Sequence, residues 1–286
     1  MSEYPKDFAI FVNSTDSFED CWDAFFILFK KYWGKCDIPI YLNTEEKDYS
    51  YPDLNIICTK VCSNGNIEKR KLWGWCLKEA LKKIPENTIL YLQEDYFLND
   101  KVDKEQLFEL VDIIQNKKWS VQECSQIGVS YVGAHNPYHI TEFPLLWEVD
   151  RYAKFRVSLQ SALWNKNKLA SYIRDKDSGW TFEMFGANRT RNDRFLTLNR
   201  QIFNPEARII LPYLHTGIIQ GKWNEKVVDL FKEHDINIDL SKRGFYDERE
   251  ANIVKFPTWQ GRIVSLKFKY LWKINHLIDK IRYHRL

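Results

Sequence analysis

Apolar and polar positions follow two rhythms along this chain. Predominantly apolar runs at residues 8–12, 38–42, 54–58 and 88–92 alternate with stretches where apolar residues return every three or four positions. The first rhythm predicts strands buried on both faces, the second amphipathic helices. Phe18, Trp22, Phe25, Phe26, Phe29 and Tyr32 mark the first helix, with Ser17 and Asp20 spaced as a capping signal. Leu72, Trp73, Cys76, Leu77, Ala80, Leu81 and Ile84 mark a second within residues 67–84, stopped by Pro85. Strand–helix–strand alternation of this kind predicts parallel strands and an α/β fold. Further on, the pattern predicts a helix over 104–115, a strand over 127–132 and an irregular stretch over 135–155. It then predicts a strand over 155–160, a helix over 166–174, a short helix capped by Ser178 and a last strand over 208–213. Residues 214–223, bracketed by Gly217 and Gly221, read as a site loop.

One run stands apart. Residues 88–92 meet Gln93-Glu94-Asp95, two adjacent carboxylates after an apolar strand. Acidic side chains are seldom buried without a partner, so both are expected where the strand emerges at its carboxyl end. In open α/β sheets that edge binds ligands, and two carboxylates there suit a divalent cation that bridges to phosphates. A plain polar turn has the same pattern.

Composition changes the picture in three ways. Aromatic residues make up 15% of the chain, with Trp 11, Tyr 15 and Phe 18. Trp147, Tyr152 and Trp164 suit either sugar faces or a core. No apolar stretch approaches the ~18 residues of a membrane span, and residues 1–7 lack a signal-peptide pattern. Six cysteines show neither zinc-finger spacing nor disulfide-scaffold density, so a reduced, cytoplasmic protein is expected. The net charge of +3 is concentrated in residues 262–286, which carry seven Lys or Arg against the single acid Asp279. That segment reads as a basic amphipathic helix, suited to an anionic membrane surface at the inner face or to packing on its own domain. The remainder is net negative, which argues against a phosphate-tracking groove, and no nucleic-acid recognition module is legible.

Five segments together resemble the GT-A glycosyltransferases, most closely the bacterial family-2-like enzymes of surface polysaccharide synthesis. They are Asn13-Ser14-Thr15-Asp16, Arg70 with Trp73, Gln93-Glu94-Asp95-Tyr96, the run from Leu159 and Gln160 to Trp164, and Trp180-Thr181-Phe182-Glu183. They span residues 8–223. The resemblance implies a GT-A, Rossmann-like twisted mixed sheet flanked by helices over residues 1–240, and a C-terminal helical extension over 241–286. It implies transfer of a sugar from a nucleoside-diphosphate sugar to a saccharide or lipid-linked saccharide, with inversion. Asn13, Ser14, Thr15, Asp16, Arg70, Glu94, Asp95 and Lys222 would bind the donor, and Gln160, Trp164 and Trp180 the acceptor. Glu183 would be the catalytic base, and Asp95 with His215 would hold Mg²⁺ or Mn²⁺. The chain departs from the family's Asp-x-Asp metal motif, carrying Gln93 and Phe97 on either side of Asp95.

The residue types suit that chemistry. A departing diphosphate needs its charge neutralised by a metal or cationic side chains, and the acceptor hydroxyl needs a base. Glu183 near Trp180, Phe182 and Phe185 suits the base, although an acid in a helix's first turn also complements the dipole. A non-catalytic saccharide-binding protein with an aromatic cleft is the alternative. A nucleotidyltransferase would need a Gly-rich basic loop after the first strand, and residues 13–17 contain none.

Overall fold

The computed structural model describes residues 4–115, 124–133, 136–153 and 155–248. The predicted tail helix lies outside them. A mixed sheet of nine strands has helices on both faces. Its parallel half consists of β1 (Phe8–Asn13), β2 (Ile40–Leu42), β3 (Ile56–Cys58) and β4 (Thr88–Gln93). The other half holds β5 (Cys124–Gly128), β6 (Tyr138–Ile140), β7 (Leu146–Val149), β8 (Ala162–Asn165) and β9 (Arg194–Leu198). The spatial order is β3-β2-β1-β4-β8-β5-β9-β7-β6, with β8 antiparallel to both β4 and β5. A small hairpin, β10 (Ile218–Ile219) with β11 (Lys222–Trp223), stands beside the sheet.

The apolar runs of β1 and β4 divide between two cores. Phe8, Ile10, Val12, Leu90 and Leu92 face one, and Ala9, Phe11, Ile89 and Tyr91 face the other. Helices α1 (Trp22–Trp33) and α3 (Lys104–Gln115) cover the first face. Helix α2 (Trp73–Lys82), α4 (Lys166–Tyr172) and Phe182 of α5 (Gly179–Arg189) cover the second. Each large side chain so buried contributes ~1.5–3 kcal/mol of transfer free energy, which is why continuous runs commit to central strands. Helix α6 (Lys226–Glu233) packs Val227 and Phe231 into the first core. Residues 240–246 fold back onto the domain through the Trp223–Phe245 bridge.

Several expectations give way. The Ser17 capping signal does not form: residues 16–21 make a 3₁₀ turn, and the Ser17 hydroxyl pairs with Thr15 at 2.6 Å. The expected strand over 127–132 lies earlier, at β5, where Ser125 and Gln126 are buried because Tyr172 and the Ser158 carbonyl satisfy them. The stretch over 135–155 contains the β6–β7 hairpin, half-exposed at the sheet edge. Residues 155–160 form no strand. Arg156 is buried there at 1% exposure, donating to the carbonyls of Thr190 and Asp193 beneath the Phe195 ring. The strand is β8, which follows. Residues 208–213 make only the isolated bridges Asn204–Arg208 and Leu98–Tyr213. All six cysteines are free, and burial raises each thiol pKa, Cys36 to about 11 and Cys76 to about 12. None is poised as a nucleophile.

Candidate active site

The register of β1 on β4 places Asn13 opposite Gln93, so the chain leaves both strands at the same sheet edge. Just beyond, Asp95 turns toward the segment before β10. Its Oδ2 accepts from the Thr216 hydroxyl at 2.8 Å and from the Ile218 amide at 3.1 Å. Its carbonyl accepts from the Gly217 amide at 3.0 Å. Gly217 is required by this approach, because a Cβ there would lie 2.3 Å from the Phe97 ring. Glu94 is 8% exposed. Burial first, and the adjacent Asp95 charge second, hold its pKa well above the usual carboxylate range. Burial also raises the Asp95 carboxyl, against the hydrogen bonds from Thr216 and Ile218.

Helix α5 supplies the opposite wall. Ser178 caps it, accepting from the Thr181 amide while the Thr181 hydroxyl accepts from the Ser178 amide. Glu183 is the fifth residue of the helix, and its first turn holds no acid, so complementing the dipole does not account for it. Glu183 Oε1 accepts from the Leu159 amide at 2.7 Å and from the Ser158 hydroxyl at 3.5 Å. Burial raises its pKa, and these two hydrogen bonds oppose the rise. The Leu159 carbonyl in turn accepts from Gln93 Nε2 at 3.2 Å and from the Tyr96 hydroxyl at 3.0 Å. One loop residue thus fastens Glu183 to the end of β4.

The two walls enclose a cleft of about 450 Å³. Of the residues singled out from sequence, Glu94, Asp95, Gln160, Trp180, Glu183 and His215 line it. Trp180 stands at its rim, 67% exposed. Burial pushes the His215 pKa down, favouring the neutral ring. Phe18, Tyr96, Leu159 and Thr216 are also in the lining.

The remaining candidates lie elsewhere. Asn13 Oδ1 accepts from Asn43, Ser14 Oγ accepts from the Trp22 indole, and Asp16 accepts from the amides of Glu45 and Glu46. Thr15 pairs with Ser17, and Arg70 sits 3.9 Å from Asp16 and from Glu46. This group folds the β1 loop onto residues 43–46 at the neighbouring strands, outside the cleft lining. Lys222 is on the hairpin whose Ile218 and Gly221 line the cleft, but its side chain is not part of the wall. Trp164 requires correction. It is 0% exposed, packed edge-on against Phe195 at 5.7 Å in the core, and reaches no acceptor.

No protein-family model matches the chain. No curated protein matches it. Among solved structures it is similar to S. aureus TarS, at 10% identity and a TM-score of 0.43, covering 82% of this chain and 41% of that one. It is also similar to S. aureus TarS 1-349 in complex with UDP-GlcNAc, at 13% identity and a TM-score of 0.43, covering 82% and 69%. For TarS 1-349 alone the identity is 14% and the TM-score 0.39, covering 67% and 57%. The chain therefore spans less than half the length of the first of these structures.

A residue that sequence reasoning missed supports two of the cleft's lining residues. Arg243 donates from Nε and Nη2 to the Asp20 carboxylate, both at 2.6 Å, and from Nη2 to the Ser17 carbonyl at 2.8 Å. Its guanidinium lies 4.2 Å from the Phe18 ring centre, and its Nη1 is 3.5 Å from the Gly221 carbonyl. Phe18 and Gly221 both line the cleft. No local signal announces Arg243, because its partner lies at the other end of the chain.

The Mg²⁺ or Mn²⁺ expected from the resemblance needs oxygen ligands converging on one point. Among the described residues no group of three or more His, Cys, Asp or Glu is so placed. Asp95 Oδ2 already serves two protein donors. The side chains as arranged do not fit the ion, and no step below passes through it.

Proposed function

We propose that the cleft transfers a sugar from a nucleoside-diphosphate sugar to a saccharide hydroxyl, with inversion. The reading is carried by one observation: Asp95 and Glu183, from a strand end and a separate helix, face into the same cleft. Glu183 takes the proton of the acceptor hydroxyl. The acceptor oxygen bonds to the anomeric carbon from the face opposite the leaving group. The bond from that carbon to the diphosphate breaks, and the nucleoside diphosphate departs with the electron pair. A buried carboxylate is a stronger base than a solvated one, and its hydrogen bond from Leu159 fixes its aim. Asp95 holds the 215–218 segment as the floor of the donor site. The nucleotide lies along the ends of β1 and β2, toward Arg70.

Glu183→Gln tests this. Its amide oxygen still accepts from Leu159, so the fold and donor binding are retained while the base is lost. Turnover is expected to fall ~10²–10⁴-fold, with an unchanged thermal shift on a nucleotide-sugar panel. Wild-type-like turnover in the variant removes Glu183 from the base role. A chain that binds saccharides but is stabilised by no nucleotide sugar is the non-catalytic alternative.

A further inference from the structure

The far end of the sheet carries a second concavity, of about 440 Å³, outside the site above. Tyr138, Ile140 and Trp147 line it with Asn136, His139 and Gln201. The Tyr138 and Trp147 rings stack at 5.3 Å and 26°. Ile140, cross-strand partner of Trp147, is 93% exposed. Two features of its chemistry select the ligand. The aromatic faces offer a negative π surface to which the polarised C–H face of a pyranose is complementary. The rim offers amide and imidazole groups, with His139 Nε2 2.9 Å from Asp150 and the Arg200 guanidinium 5.3 Å from the Tyr138 ring centre. A polyhydroxylated ligand, with C–H faces for the rings and hydroxyls for the rim, fits that combination.

Its position connects it to the cleft. Strands β4, β5, β9 and β6 run in one direction, and β8 and β7 run against them. The carboxyl end of β6, the amino end of β7 and the segment after β9 therefore lie along the same sheet edge as Glu94 and Asp95. Five strand spacings separate β4 from β6, about 24 Å at ~4.8 Å each. A chain of contacts joins them. Gln160 of the cleft lies beside Gly133, where an added Cβ would be 3.4 Å from its Cγ. The Gly133 carbonyl accepts from Arg200 at 2.8 Å, and Arg200 lies 5.3 Å from the Tyr138 ring centre.

We infer that the Tyr138–Trp147 concavity is a distal saccharide subsite, holding the part of a glycan chain remote from the hydroxyl presented in the Glu183 cleft. This deepens the transferase reading and rests on it for the identity of the chain held. The probe is an immobilised panel of neutral and N-acetylated oligosaccharides of two to eight units, read against the full chain, Trp147→Ala and Ile140→Asp. Wild type is expected to bind at least one member, and Trp147→Ala and Ile140→Asp to bind it at least tenfold more weakly. Ile140→Asp keeps the test decisive should Trp147→Ala fold poorly, because Ile140 buries almost nothing. Binding of no member, or equal binding by Ile140→Asp, overturns the subsite. Thermal shift of the same samples by nucleotide sugars separates the two readings. A donor shift without saccharide binding refutes the subsite alone. Saccharide binding lost in Ile140→Asp, with no donor shift, refutes the transferase and leaves the subsite standing.

Discussion

Replacing Arg243 by Ala should both loosen the cleft and destabilise the domain. The Asp20 and Arg243 side chains are 14% and 13% exposed, so the pair is largely removed from water. Breaking a buried pair by deleting one partner costs ~3–5 kcal/mol, because the other charge is left stranded. Residual water access to Asp20 lowers that figure, and loss of the guanidinium over Phe18 adds ~0.5–1 kcal/mol. A net loss of ~3 kcal/mol is expected, or ~6–12 °C in Tm at ~2–4 °C per kcal/mol for a domain of this size. Urea unfolding of Arg243→Ala, Asp20→Ala and the double variant measures it. The double variant should lose less than the sum of the singles by at least ~1.5 kcal/mol, since removing both charges strands neither. Arg243→Lys, which keeps the charge but not the two-pronged geometry, should fall between. Because Phe18 and Gly221 are held by the same guanidinium, Arg243→Ala should also shrink the nucleotide-sugar thermal shift. Single variants that each cost under ~0.5 kcal/mol, with an additive cycle, would refute the clamp.

Two further outcomes follow from the groups in the cleft. Because burial raises the Glu183 pKa, the acid limb of kcat/KM should lie above the usual glutamate range of ~4.3, and it should be absent from the residual activity of Glu183→Gln. The sign for stability is the reverse of the usual acid: the folded state holds this proton more tightly, so Glu183's contribution is full below the ordinary range and lost as pH rises through the raised value. A pH–Tm comparison of wild type and Glu183→Gln should therefore show the variant gaining on wild type toward higher pH. Since Asp95 is engaged by Thr216 and Ile218, treatment with EDTA should leave the donor-induced thermal shift within ~1 °C of its untreated value, on the mass-action logic of ligand stabilisation. A shift that appears only with added Mn²⁺ would mean that Asp95 exchanges those donors for the ion.

What could be read from sequence tracks how each residue is satisfied. Strands β1 and β4 were legible because unbroken apolar runs leave no other place for their side chains. Strand β5 was obscured by Ser125 and Gln126, whose partners, Tyr172 and the Ser158 carbonyl, lie far along the chain. The apparent alternation over 155–160 came from Arg156, a charge buried among carbonyls that no periodicity argument admits. In the site, Glu94, Asp95, Gln160, Trp180, Glu183 and His215, singled out from sequence, line one cleft. Trp164 does not, because ring chemistry alone cannot separate a core tryptophan from a platform. The β1 loop and Arg70 turn instead to residues 43–46, a consequence of Asp16 capping two backbone amides there.

The position of the cleft follows from strand direction. Strand β4 closes the parallel half of the sheet, and β8 beside it runs the opposite way. The loop entering β8 must therefore arrive at the edge where β4 leaves, and that loop carries Ser158, Leu159 and Gln160. Its backbone then serves both sides: the Leu159 carbonyl accepts from Gln93 and Tyr96, and its amide donates to Glu183. Were β8 parallel to β4, the loop would enter at the far edge and nothing would tie the helix carboxylate to the strand carboxylates. Open α/β sheets leave room for ligands outside the carboxyl ends of their strands, and here the reversed strand β8 also brings the amide that holds Glu183.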